Sequence, residues 1–207
     1  VARARGLSRF VGRQEETAAL EAALAHAVEG NGLVAGVVGE PGVGKSRLCF
    51  ELAERCRARG ITVREAHGVA HGKAVPFLAV LELLRGYFGV TDRDGDQTAR
   101  EKVAGRLLLL DKEFEESLPL LFDFLGVPDP ERPAPRMEPE ARQRQLFAVI
   151  KRLVYARSQR EPAVMLLEDL HWIDGGSEAF LENLVEALPG TRTLLLVNFR
   201  PEYHAPW

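Results

Sequence analysis

Cysteine is nearly absent: Cys49 and Cys56 are the only two in the chain. If both sit on one helix they lie about 10 Å apart along its axis, too far for a disulfide, and their spacing offers no metal site. Reduced, buried thiols fit a cytosolic protein. Long apolar runs are missing too. No stretch approaches the roughly 20 residues needed to span a bilayer, and the N-terminal VARARGLSRF lacks the apolar core of a signal peptide. The expected address is therefore the cytoplasm, with no membrane partner. Charge of one sign is also lacking, since 27 basic residues face 30 acidic ones for a net charge of -3. That balance gives no general basic footprint for nucleic acid and no acidic tail. There is no internal repeat, and the only biased tract is Val127 to Pro139, with five prolines.

What is present is a chain of 207 residues, 46% hydrophobic, long enough to bury a core as one domain spanning 1–207. Glu15 to His26 carries Leu20 and Leu24 at helical spacing. Leu33 to Val38 is a short apolar run between glycines, the pattern of a buried parallel strand. Leu48, Cys49, Leu52 and Cys56 mark a helix from Lys45 to Arg59, stopped by Gly60. Ile61 to Ala66 then alternates as a second strand, completing a βαβ unit. Helices are expected at Phe77–Phe88, Ala99–Leu110, Phe114–Leu125 and Glu140–Ser158. A third strand is expected at Ala163–Leu167, a helix at Ser177–Leu188 with Ser177 as N-cap, and a fourth strand at Thr193–Asn198.

Between the first strand and its helix lies Gly39-Glu40-Pro41-Gly42-Val43-Gly44-Lys45-Ser46. Gly-x-x-x-x-Gly-Lys-Ser needs its glycines because the backbone must curl until several N–H groups converge on a phosphate, with the helix N-terminus behind them. Lys45 would reach the β- and γ-phosphates and Ser46 would offer its hydroxyl to Mg²⁺. The plainer alternative, a glycine-rich turn that happens to precede a helix, is disfavoured by the strand before it and the amphipathic helix after it. Hydrolysis also requires acids at the tip of a neighbouring strand, and the run ending in Glu168-Asp169 supplies them. Glu168 stands at the position of a magnesium-associated acid and Asp169 at that of a water-polarising acid. The common order is Asp then Glu, so the division of labour stays open. Leu107 to Asp111 imitates this pattern, but Val103, Leu107 and Leu110 continue a helical stripe.

Four segments together resemble the ATPase module of STAND proteins, signal-transduction ATPases related to the AAA class that are joined to bacterial nucleotide cyclases and large transcriptional regulators. Phe10-Val11-Gly12-Arg13-Gln14-Glu15 is similar to that family's first motif, with Gln14 in place of a glutamate. Gly39 to Ser46 matches the phosphate loop. Glu168 to Asp174 matches the acid motif, and Asn198-Phe199-Arg200-Pro201-Glu202 the strand end that carries a phosphate-sensing arginine. The resemblance implies adenine contact by Val11, Gly12 and Arg13, phosphate contact by Gly39 through Arg47 and by Arg200, and catalytic roles for Lys45, Glu168 and Asp169. Metal would be held by Ser46, Glu168 and Asp169.

The implied fold is a three-layer α/β/α P-loop NTPase with a parallel sheet. In it the acid strand is separated from the P-loop strand by the strand carrying Arg200. Phe77–Leu125 would be a helical insertion or lid between the second and third strands. A fifth strand, helical domains and an output domain are expected outside this chain, with ATP-dependent self-association as a further expectation. The implied function is an ATP/ADP and Mg²⁺ switch with slow hydrolysis. Alternatives are a nucleotide-binding module without hydrolysis and, less favoured, a small-molecule kinase, for which no acceptor site or lid motif is apparent. His67 and His71 lack a third ligand for zinc. Asp174 reads either as a third acid near the metal or as the N-terminal charge of a helix.

Overall fold

In the computed structural model, which describes residues 10–69 and 76–207, the apolar runs become four parallel strands. They are β1 (Leu33–Val38), β2 (Thr62–His67), β3 (Ala163–Glu168) and β4 (Thr193–Phe199), in the spatial order β1-β4-β3-β2. The acid strand β3 is thus separated from β1 by β4. Parallel neighbours need crossover connections, and the helices supply them. Helices α1 (Gln14–Val28) and α2 (Lys45–Ala58) precede and follow β1. Helices α3 (Leu78–Phe88), α4 (Asp96–Leu110), α5 (Leu118–Phe124) and α6 (Pro139–Ser158) lie between β2 and β3, and α7 (Gly175–Ala187) lies between β3 and β4.

The side-chain alternation of the strands divides the core. Leu194 and Leu196 of β4, with Val164 and Leu166 of β3, pack against α1 and α2. Leu195, Val197 and Leu167 face the opposite way, into the cluster built with α3 to α7. Leu194, Leu195 and Leu196 are all fully buried, which explains why β4 reads as a continuous apolar run rather than an alternating one. Each such leucine contributes about 2 kcal/mol. Three layers result, with the sheet in the middle.

Several expectations are corrected in detail. Phe114–Leu125 is not one helix: a 3-10 helix over Lys112–Ser117 precedes α5, and Pro119 sits in the first turn of α5, where its missing N–H costs nothing. Ser177 does not cap α7. The cap is Asp174, whose carboxylate accepts the Ser177 N–H at 2.9 Å. The helical segment between β2 and β3 contributes Leu83, Leu84, Phe114 and Leu121 to the main core and so forms part of one helical layer. The decoy run ends α4, and Asp111 pairs with Arg152 at 2.6 Å instead of meeting the strand edge. Tyr203 and Trp207, after β4, also pack on the main cluster. Among the described residues no helix is long and apolar enough to cross a membrane.

Candidate functional site

Because all four strands run the same way, their carboxyl ends meet at one edge. Val38 lies opposite Phe199, and His67 opposite Glu168. The next residues of each strand, Gly39, Gly68, Asp169 and Arg200, therefore belong to a common rim, the place where doubly wound sheets bind ligands.

The glycine loop leaves β1 and turns back into α2. Gly42 and Gly44 have φ of 80° and 92°, a region where a Cβ is strained, so the loop geometry demands glycine at both. Lys45 Nζ donates to the carbonyl oxygens of Gly39 at 2.7 Å and Glu40 at 3.0 Å, folding the ammonium across the loop's interior. Pro41, Gly42, Gly44, Lys45, Ser46 and Arg47 line a cavity of about 310 Å³, whose far wall is Asp169 and Arg200. Glu40 and Val43 complete the loop, and Val43 is exposed.

Glu168 is half-buried at the end of β3. Burial pushes its carboxyl above the ordinary 4.5, opposed by a hydrogen bond with the Ser46 side chain and by the nearby His67. Asp169 is held in left-handed backbone (φ 55°), which turns the chain sharply out of the strand into a 3-10 helix over Leu170–Trp172. Its N–H donates to the buried Asn198 Oδ1 at 2.8 Å. Close approach of β2 completes the turn: Gly68 N–H donates to Glu168 O at 2.8 Å, and a Cβ on Gly68 would meet Asp169 O at 2.3 Å.

Arg200 is held in place from two sides. Its guanidinium lies over the Trp172 ring at 5.8 Å and pairs with Glu202 at 3.8 Å. His171 is packed against Trp172, with ring centroids 5.1 Å apart. Both its ring nitrogens are buried without a hydrogen-bond partner, and burial followed by the Arg200 charge depresses its pKa. Asp174 is not among the rim acids; it serves the start of α7 and the backbone of Phe77.

The N-terminal segment reaches the loop through Arg13, which donates to Val43 O at 2.6 Å and pairs with Glu16 at 2.8 Å. Val11 and Gly12 line a neighbouring cleft of about 530 Å³ with Phe10, Gln14 and Arg55. Arg47 lines the loop cavity but pairs with Glu51 and stacks near Phe10. Sequence reasoning missed Asn198 as the Asp169 anchor, Trp172 as the Arg200 platform and Glu82 as the partner of His67, 3.0 Å away. The signal for Asn198 is an amide at the end of an otherwise apolar strand. His71 lies outside the described residues.

A parallel sheet in this order, with a glycine loop between β1 and α2 and acids at the tip of β3, defines a P-loop nucleotide-binding domain. A family model described as AAA ATPase domain matches residues 9–197, and the chain belongs to that family. An uncharacterized protein of Rhizobium meliloti (strain 1021) is 26% identical over 192 residues, covering 86% of this chain but 17% of the relative's own length.

Proposed function

We propose that this domain is an ATP-dependent switch of the STAND type, which binds Mg-ATP in the 310 Å³ cavity and hydrolyses it slowly to reset. The observation that carries the reading is the convergence of Lys45, Ser46, Asp169 and Arg200, from three different strand ends, on that one cavity. A γ-phosphate there would meet Lys45 from the loop side and Arg200 from the opposite wall. Arg200 thereby links the state of the nucleotide to β4 and the segment after it. In this reading Val11, Gly12 and Arg13, whose segment is tied to the loop by the Arg13–Val43 hydrogen bond, would meet the base, and Gly39 to Arg47 would surround the phosphates.

The oxygen donors of Ser46, Glu168 and Asp169 suit Mg²⁺, and the hydrogen bond joining Ser46 to Glu168 brings loop and strand tip together. These residues would hold the ion or its water shell, and bound Mg²⁺ would neutralise charge on the β- and γ-phosphate oxygens. In this reading Asp169, whose backbone is anchored by Asn198, would orient an attacking water, and Glu168, joined to Ser46, would serve the metal. Further helical domains, an output domain, ATP-dependent self-association and a cytoplasmic address belong to the same proposal.

Calorimetric titration with Mg-ATP and Mg-ADP, paired with a phosphate-release assay, tests it. Lys45→Ala should abolish binding, whereas Asp169→Asn should keep binding and lose at least 10-fold in phosphate release. Unchanged release in Asp169→Asn would remove Asp169 from the hydrolytic machinery, and no release above background from the parent itself would replace the switch with a nucleotide-binding module that does not hydrolyse.

A further inference from the structure

The opposite edge of the sheet carries a second concavity that the nucleotide chemistry does not use. Where β2, β3 and β4 begin, at Thr62, Ala163 and Thr193, they leave a cavity of about 60 Å³ against α3, α6 and α7. Leu83, Leu84, Leu153, Val154, Phe180 and Leu184 give it apolar walls. Its volume holds roughly four heavy atoms at about 15 Å³ each. Thr62, Arg64, Tyr87 and Arg157 line both this cavity and an adjoining open cleft of about 750 Å³, so the two spaces share a mouth.

That mouth is strongly cationic. The cleft is lined by Arg64, Lys102, Arg106, Arg157 and Arg160 against only Glu101 and Glu161. The four arginines converge on Tyr87, with the Arg106 and Arg157 guanidinium groups 5.4 Å and 5.8 Å from its ring centre. Some of this charge is satisfied: Arg157 pairs with Glu161, Lys102 with Asp94, and Arg160 donates to the carbonyls of Leu109 and Leu110. Arg64 is different. It lies two residues before Ala66 on the core-facing side of β2, where the alternation asks for an apolar residue. It forms no ion pair among the described residues, its Nε is buried without a hydrogen-bond partner, and so is Nη1 of Arg157. Burial, then the Arg106 and Arg157 charges, depress the Arg64 pKa, as expected for a cation short of an anion.

We infer that this edge binds a small amphiphilic anion, its carboxylate held by Arg64, Arg106 and Arg157 and its short apolar end inserted between α3, α6 and the sheet. Guanidinium groups suit the planar, two-oxygen anion, and the depth of the cavity sets the length of the apolar end. The strands place this site roughly 15–20 Å from the nucleotide rim, so both ligands can be held at once.

Hexanoate is the probe, with acetate and hexylammonium as controls at matched ionic strength, followed by ¹H–¹⁵N chemical-shift titration of the protein. Saturable hexanoate shifts confined to the elements that line the site, β2, α3, α4, α6 and α7, are expected, with binding at least 10-fold weaker for acetate and for hexylammonium. Arg106→Met, at an exposed position that leaves the core intact, and Arg64→Met should each weaken hexanoate at least 5-fold with melting curves verifying the fold. Equal binding of hexylammonium, absence of saturation, or hexanoate shifts unchanged in Arg106→Met would overturn the assignment.

Discussion

Asn198 Oδ1 accepts the backbone N–H of Asp169 at 2.8 Å, tying the tip of β3 to β4 at the point where the chain adopts left-handed backbone. Asn198 is fully buried and also approaches Cys49 Sγ at 3.7 Å, where burial pushes the thiol up to about 12 and keeps it an inert packing group. The amide thus acts as a strut between α2 and the acid turn.

Asn198→Leu removes that acceptor while keeping the same branched four-heavy-atom outline. The Asp169 N–H would be left unpaired at a cost of about 1–3 kcal/mol, and the turn would lose its reference point. The expected outcome is a lower urea midpoint with Mg-ATP affinity within a few-fold of the parent and phosphate release at least 10-fold slower. Release at the parent rate would mean that Asp169 is oriented without the strut.

Gly68→Ala tests the same turn from its other side. The added methyl would sit 2.3 Å from Asp169 O, a backbone atom that cannot swing away, so the acid turn or the end of β2 must shift. Phosphate release should fall more than nucleotide affinity, because the glycine loop is contributed by a different strand. A parallel loss of both, measured by calorimetry and release on the same preparation, would point to general unfolding of the rim.

How much of this was legible in advance follows from which interactions are local. Strand β1 and the loop after it could be read because an apolar run, glycines at forced φ and a helix start all fall within fourteen consecutive residues. The acid strand came through for the same reason, whereas the strand order came only from the motif resemblance. The turn partners did not come through, because Gly68, Asp169 and Asn198 meet only after two separate crossovers. For Asp174 the sequence left two readings open, a third acid near the metal and the N-terminal charge of a helix; the structure takes the second, and its further bond to the Phe77 N–H at 2.8 Å spans 97 residues and could not be read locally. How the helical insertion over 77–125 packs was not legible either, because its apolar faces join a cluster with Leu167, Leu195 and Val197, which lie far along the chain.

The turn before α4 predicts a pH dependence. Asp94 pairs with Lys102 at 2.7 Å and accepts the Thr91 N–H at 2.7 Å, and these bonds pull its carboxyl down from the ordinary 3.8 to about 2. A lowered folded pKa means that the ionised form is favoured by folding. Its contribution is complete above about 4 and is lost as pH falls through about 2. Asp94→Asn should therefore melt below the parent at pH 7, and the gap should narrow steadily in melts recorded from pH 4.5 downward. A gap independent of pH would assign the loss to packing instead.

Asp174 gives the largest expected stability effect. It is buried, 5% exposed, and its carboxylate accepts three protons' worth of hydrogen bonds: from Ser177 N–H at 2.9 Å, from Ser177 Oγ at 2.6 Å, and from Phe77 N–H at 2.8 Å. Burial alone would push its pKa up, but these donors outweigh it and hold the carboxyl below the ordinary 3.8. The same group also sits at the positive end of the α7 dipole. Asp174→Ala would remove the cap of α7 and free the Phe77 N–H, where the chain turns at φ 62° into α3, so two helices of one layer would lose their common anchor. The combined cost is about 2–4 kcal/mol by urea unfolding. Asp174→Asn keeps an oxygen acceptor for one backbone donor and should recover part of it. If Asp174 instead served the metal, Asp174→Ala would spare stability and weaken the Mg²⁺ dependence of nucleotide binding, the opposite pattern in the same two measurements.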